Sequence, residues 1–265
     1  VTNEIQNLDN VLTQNNSANN KNITDLADPV NAQDAATKAY VDALLARIEA
    51  LEESDLLNNG FTDSRDGNHY SIVKIGNQLW MTENLKYLPS VADPGTGSGT
   101  TPYYYIYDYN GTVVADAKAT SNYTTYGVLY NWPAAMNGAA SSPSNPSGVQ
   151  GVCPTGWHLP SDAEWKELTD FLGGTGVAGG KLKETGTSHW VENIGATNET
   201  GFTALPGGYR NISGAFNQIG WFGYWWSATE DSPGFAWFRD ISYDGSMHRG
   251  INQEEHGYSV RCLRD

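Results

Sequence analysis

The sequence predicts an α+β head domain preceded by an N-terminal α-helical coiled-coil stalk. Three observations carry this prediction. Composition breaks near Asp55, apolar residues before the break follow a three-four spacing, and short strands after it flank one well-marked helix.

The 265 residues include 39% hydrophobic and 12% aromatic side chains, enough for a sizeable core. With 15 Lys+Arg against 30 Asp+Glu, the net charge is −15. Such a surface repels phosphate backbones and anionic lipid, so neither nucleic acid nor a membrane is an expected partner. No stretch approaches the ~18–20 apolar residues of a membrane span. The start at Val1-Thr2-Asn3-Glu4 lacks the basic and apolar regions of a signal peptide.

Residues 1–56 form the predicted stalk. Before Asp55 there is no Gly, Trp or Cys, and the first 60 residues hold three basic and ten acidic side chains. Apolar residues recur as Ile5, Leu8, Leu12, then Ile23, Leu26, Val30, then Val41, Leu44, Ile48, Leu51. That seam is too narrow to pack on a globular core and suits identical partner helices. Asn15 and Asn19 continue the first seam, where a buried Asn fixes register and oligomer number. Asp28-Pro29 interrupts the helix, and Asp34 stands at an N-cap ahead of Ala35 to Glu53. Helices this poor in apolar residues are not stable alone. A parallel homotrimer is therefore expected, with a dimer, a single-chain hairpin or a helix folded back on the head as alternatives.

Residues 57–265 form the predicted head. Asp66-Gly67 reads as a type I′ hairpin, and Gly76-Asn77 separates Ser71–Ile75 from Gln78–Met81. Residues 93–100 and 138–151 are loop excursions. Ser161-Asp162-Ala163-Glu164 is a capping box, and Trp165, Leu168, Phe171 and Leu172 form the buried stripe of its helix before Gly173-Gly174. Strands follow at Phe202–Leu205, Gly223–Ala228, Ala236–Tyr243 and Tyr258–Leu263.

Two resemblances add to this reading. The run from Leu26-Ala27-Asp28-Pro29-Val30 to Tyr40-Val41-Asp42 resembles a segment that links trimeric stalk elements in phage tail fibres and related bacterial surface fibres. In the head the motifs are Trp80-Met81-Thr82-Glu83-Asn84-Leu85, Tyr126 to Trp132, Cys153 to Ser161, Gly207-Gly208-Tyr209-Arg210, Tyr224 to Glu230 and Gly257 to Cys262. Together they resemble the Fibrobacter succinogenes major paralogous domain. Gly156-Trp157-His158-Leu159-Pro160 with Glu164-Trp165 is more distantly similar to formylglycine-generating enzymes, which implies a C-type lectin-like fold. By the same motifs Trp80, Trp132, Trp157, Trp165, Trp225 and Trp226 read as core.

Chemistry is sparse. The five His (69, 158, 189, 248, 256) show no ligand spacing and read as surface or turn residues, so no metal site is expected. The Glu-Pro-Asn, Gln-Pro-Asp and Trp-Asn-Asp motifs of calcium-dependent lectins are missing, which leaves only a structural calcium open. Cys153 before the helix and Cys262 on the last strand fit one bridge closing the domain, the alternative being a free catalytic thiol. Such a bridge points to an oxidising compartment or an extracellular particle. Glu230, Asp231, Glu254 and Glu255 are candidate paired carboxylates, but an acidic chain offers such pairs by chance, and no enzyme is expected.

Recognition is expected near the C-terminus. Trp237, Arg239, Ile241 and Tyr243 share one strand parity and read as packing residues; Phe238, Asp240, Ser242 and Asp244 share the other and read as exposed. In relatives this region is hypervariable, and in some it is rewritten by diversity-generating retroelements. By position that resemblance carries a ligand surface onto Phe235, Phe238, Asp240, Ser242, Asp244, His248, Gly250, Ile251, Asn252 and His256. Trp221, flanked by glycines, is a further candidate. The expected function is receptor binding at the tip of a phage tail fibre, by a homotrimer joined to tail-fibre or baseplate proteins and contacting a host cell-surface protein or glycan. The alternatives are a bacterial surface or secreted adhesin and, third, an enzyme on the same scaffold.

Overall fold

The computed structural model of the protein describes Val30 and residues 38–265. Among the described residues helix and strand contribute almost equally, at 24% and 25%, in keeping with the α+β class. The chain divides between Ser54 and Asp55 into two compact units.

Helix α1 (Lys38–Asn59) crosses that division. It ends at Gly60, whose φ of +70° favours glycine and whose N–H donates to Leu56 O at 2.9 Å. Val41, Leu44, Ile48 and Leu51 are all exposed. The expected seam positions Ile5, Leu8, Leu12, Ile23 and Leu26 lie outside the described residues, as do Asn15, Asn19, the Asp28-Pro29 break and the Asp34 cap.

Beyond α1, strands β1 (Phe61–Thr62) and β2 (His69–Tyr70) pair around a wider loop than the two-residue turn expected at Asp66-Gly67. Buried Asp63 is the reason. Its N–H donates to Asn68 O at 2.8 Å, and its carboxylate accepts from Arg65 Nη2 at 2.7 Å, filling the loop. Strands β3 (Ile72–Ile75) and β4 (Gln78–Met81) do turn through Gly76-Asn77, with Gly76 at φ +62°. Then come β5 (Tyr104–Tyr105), α2 (Val114–Lys118), α3 (Ser121–Tyr126), β6 (Leu129–Tyr130), α4 (Trp132–Met136) and β7 (Trp157–His158). Helices α5 (Asp162–Phe171) and α6 (Thr175–Leu182) precede β8 (Tyr209–Arg210), β9 (Phe216–Asn217), β10 (Phe222–Ser232), β11 (Phe235–Ser242), β12 (Met247–Gln253) and β13 (Leu263–Arg264). One sheet has the order β3-β4-β13-β7; a second, antiparallel, has the order β10-β11-β12 with β12 at an edge.

Two expected strands dissolve. Phe202–Leu205 keeps a single bridge, Ala204 to Lys183. The segment from Tyr258 bridges Tyr130 of β6 and then, one residue later, Trp225 of β10. Changing partners at each step lets no ladder build, and only β13 remains regular.

Helix α5 starts as expected. Ser161 Oγ accepts from Glu164 N–H at 3.1 Å, and Glu164 Oε2 accepts from Ser161 N–H at 2.9 Å. Trp165, Leu168 and Leu172 are buried, but Phe171 is 63% exposed, contrary to the expected stripe. Its ring covers the Gly76 turn from outside, where a Cβ would stand 3.2 Å from it. His158 also departs from expectation. It is buried, with Nε2 at 2.8 Å from Glu164 and Nδ1 at 2.8 Å from Asp265. Burial alone would lower its pKa, but the two carboxylates outweigh that and raise it.

All six tryptophans assigned to the core by the motifs are buried. Trp80, Trp165, Trp225 and Phe202 pack ring to ring, with Trp80 and Trp165 centroids 4.7 Å apart. Among them lies Arg261, 1% exposed. Its Nη1 donates to Phe202 O at 2.6 Å and its Nη2 to Asn84 Oδ1 at 2.9 Å, while the guanidinium sits 4.2 Å over the Phe202 ring. Asn84 Oδ1 also accepts from Trp225 Nε1 at 2.8 Å, and Asn84 Nδ2 donates to Tyr126 O at 3.0 Å. One asparagine thus joins three distant sequence motifs.

Cys153 and Cys262 form a disulfide across a sequence separation of 109. By the loop-closure argument it stabilises the fold by about 4–5 kcal/mol. Thiol labelling in denaturant without reductant is expected to find no free cysteine. Reduction is expected to lower the unfolding free energy by roughly that amount, read by urea titration with and without reductant.

Candidate functional site

Strand β11 pairs on both sides, with Phe238 opposite Trp226 of β10 and Gly250 of β12. Directly opposite residues share a face. One face therefore carries Trp237, Arg239 and Ile241 beside Ile251, Arg249 and Met247. The other carries Phe238, Asp240 and Ser242 beside Gly250 and His248, with Tyr224 across from Asp240.

The second face is not the open surface that alternation suggested. Asp240 is 7% and Ser242 2% exposed. Phe238 is half-buried, its ring 5.0 Å from Tyr258 and 5.9 Å from Tyr224, and it lies over Gly250, where a Cβ would come within 2.6 Å of it. His256, expected at the surface, is buried beside Tyr209 and Tyr258, and burial lowers its pKa. Asn252 Nδ2 donates to the Tyr258 hydroxyl at 2.7 Å. The aromatic cluster of Tyr209, Tyr224 and Tyr258 covers this face, and strand periodicity alone cannot reveal a cover built from other segments.

The first face departs from expectation in the opposite sense. Ile241 is buried as expected, but Trp237 is only half-buried, and Arg249 stacks on its ring 3.3 Å from the centroid. Arg239 is buried because Asp162, at the start of α5, accepts from its Nη1 at 2.6 Å. Arg249 grips the same carboxylate through Nε at 2.9 Å and Nη2 at 2.8 Å. Burial would raise the Asp162 pKa, but Arg249 and Arg239 outweigh it and hold it below the usual carboxylate range.

Between α5 and β12 lies a cleft of about 390 Å³. Lys166, Thr169 and Asp170 line it from the helix, Met247, His248 and Arg249 from the strand. Three cations (Lys166, Arg239, Arg249) meet two carboxylates there, Asp162 and Asp170, so the cleft is locally positive on a molecule of net charge −15.

The β11–β12 turn is tied by a chain of polar groups. Asp240 Oδ2 lies 2.9 Å from His248 Nδ1, and His248 Nε2 lies 3.1 Å from Ser246 Oγ. This has the order of a carboxylate–imidazole–hydroxyl triad. Ser246, however, donates its one proton to Asp244 at 2.6 Å, and Ser242 donates to the same oxygen. A serine that has given its proton to a carboxylate cannot give it to His248, so the chain locks a turn rather than arming a nucleophile. These hydroxyls hold the Asp244 pKa down to about 2, while burial raises that of Asp240.

The remaining expected site residues are dispersed. Phe235, at 38% exposure, and Ile251 stand in solvent on β11 and β12, while Trp221 sits edge-on to Tyr243 with centroids 5.3 Å apart. Asp162, Lys166 and Arg249 escaped the sequence reading. The available signal was Arg239 itself, since an arginine within a parity of large apolar residues requires a buried partner. Among the described residues no group of three or more His, Cys, Asp or Glu is placed to hold a metal ion.

The sequence model described as the Fibrobacter succinogenes major domain matches residues 73–264. No curated protein and no solved structure matches the chain.

Asp162→Asn is expected to destabilise the fold by about 3 kcal/mol, because it removes the carboxylate paired directly with buried Arg239. The lowered Asp162 pKa contributes stability above the ordinary carboxylate range, lost as pH falls through the folded value. Urea unfolding between pH 2 and 7 should therefore show a shallower acid loss in the variant.

Proposed function

The chain belongs to the Fibrobacter succinogenes major domain family, and we propose that it is a receptor-binding protein at the tip of a phage tail fibre. In this reading a trimeric coiled-coil stalk presents three C-type lectin-like heads, whose C-terminal strands contact a protein or glycan on the host cell. The observation that carries the proposal is the edge strand β12. It holds Arg249 and Ile251 in solvent beside Phe235 and half-buried Trp237, while β11 beneath is fixed by packing on both faces. Aromatic and arginine side chains on a rigid support are the residue types that dominate binding energy. Phe235 and Ile251 can vary without disturbing the core, which fits diversification by a retroelement. Their chemistry is that of binding without catalysis.

The stalk rests on α1. Val41, Leu44, Ile48 and Leu51 stand exposed along it, and burial between identical helices would cover them. Three heads on one stalk would multiply weak single contacts into avidity. A second reading, a secreted or surface adhesin of a bacterium, is favoured by the Cys153–Cys262 disulfide, because such bonds form in oxidising compartments.

Phe235→Ala and Arg249→Ala are each expected to weaken attachment of the labelled protein to whole bacterial cells about ten-fold or more, roughly 1.4 kcal/mol. Thermal stability should be nearly unchanged for Phe235→Ala, whose side chain is exposed. It should be lowered for Arg249→Ala, which loses its hydrogen bonds to Asp162 and its stack on Trp237 while remaining folded at the assay temperature. Folded variants that attach normally would refute this surface. Light scattering at micromolar concentration should give three times the 28.8 kDa chain mass. Replacing Val41, Leu44, Ile48 and Leu51 by Ser should give one.

A further inference from the structure

A second cleft, of about 470 Å³, is built from different residues and does not depend on the reading above. Pro102, Trp132, Pro133 and Met136 supply apolar walls, small residues of two loops supply the rim, and Glu254 supplies the one charge. Glu254 is 7% exposed, and its Oε1 is buried without a hydrogen-bond partner. The main chain that carries it is held on two sides. Its N–H donates to Gly234 O at 3.0 Å, and its carbonyl accepts from Trp132 N–H at 2.8 Å. Its backbone is thus clamped to the β10–β11 hairpin on one side and to α4 on the other.

Buried carboxylates ordinarily find donors, and one left without any needs an explanation. Burial pushes the Glu254 pKa up to about 7, and the negative charge of Glu230 adds to the rise. A cation placed against Glu254 would supply the missing donor and offset both penalties. No basic side chain lines the cleft, so an anion would meet only repulsion. The apolar walls suit methylene groups behind the charge.

We propose that this cleft binds a primary alkylammonium group, carried either by a lysine side chain or by a free amine. The carboxylate of Glu254 accepts its hydrogen bonds, and Pro102, Trp132, Pro133 and Met136 enclose its alkyl chain.

The test uses the full chain, n-butylammonium, and a capped Gly-Lys-Gly peptide, followed by NMR at the Trp132 indole N–H and the Glu254 carboxyl carbon. Saturating n-butylammonium should move the midpoint of the Glu254 titration down by about one pH unit. Affinity should fall about ten-fold between pH 8.5 and pH 5.5 as the carboxylate takes up a proton. Binding of both probes supports a lysine side chain as the source, and binding of n-butylammonium alone supports a free amine. Glu254→Gln should remain folded and lose at least ten-fold in affinity. An unmoved Glu254 midpoint overturns the proposal without recourse to any variant. So does equal binding of n-butanol or a methyl glycoside, or undiminished binding by folded Glu254→Gln.

Discussion

Arg261 carries its charge in the interior of the head, and its hydrogen bonds all go to neutral oxygens: Asn84 Oδ1, Met81 O and Phe202 O. Burial pulls its pKa down to about 9, still high enough to leave the guanidinium charged at neutral pH. A buried charge without an ion pair is tolerated where each of its nitrogens finds an acceptor. Here Asn84 meets several at once and holds the Trp225 indole with the same oxygen. The aromatic core therefore assembles around a polar centre. Loss of that centre would strand a cation among tryptophans.

The same solution recurs nearby at smaller scale. Arg210 is buried and donates to Pro94 O at 2.9 Å and Glu255 O at 2.9 Å, its guanidinium 4.6 Å over the Tyr105 ring. Lys183 is buried and donates to Ile194 O at 3.1 Å and Tyr243 O at 2.7 Å, which anchors the chain leaving β11. In a head with few long strands, side-chain cations gather the carbonyls of irregular segments that no ladder satisfies. This is how 2-residue strands and long loops make a rigid support. It also explains how edge strand β12 can carry exposed side chains while β11 stays fixed.

Much of this was legible in the residues. The capping box, the Gly76-Asn77 turn, the pairing of Cys153 with Cys262 and the buried tryptophans all follow from local chemistry or from motifs, and each is present. The family, too, was legible, because its motifs are runs of contiguous residues. The faces of β11 were not. Alternation separates two sets of side chains but does not say what covers each set, and here Tyr209 and Tyr258 from distant positions cover one while α5 covers the other.

What the sequence determined by itself was the mixed fold class, the start of α5 and the apolar identity of the core. Those properties depend on neighbours within a few positions, where periodicity, capping and turn chemistry act. The tertiary structure alone decided that Asp240 and Ser242 lie inside and that Arg239 and Arg249 share Asp162. It also decided that Glu254 faces a cleft without a partner. Each of these depends on groups brought together from far along the chain, and burial and charge pairing act through space rather than along the sequence.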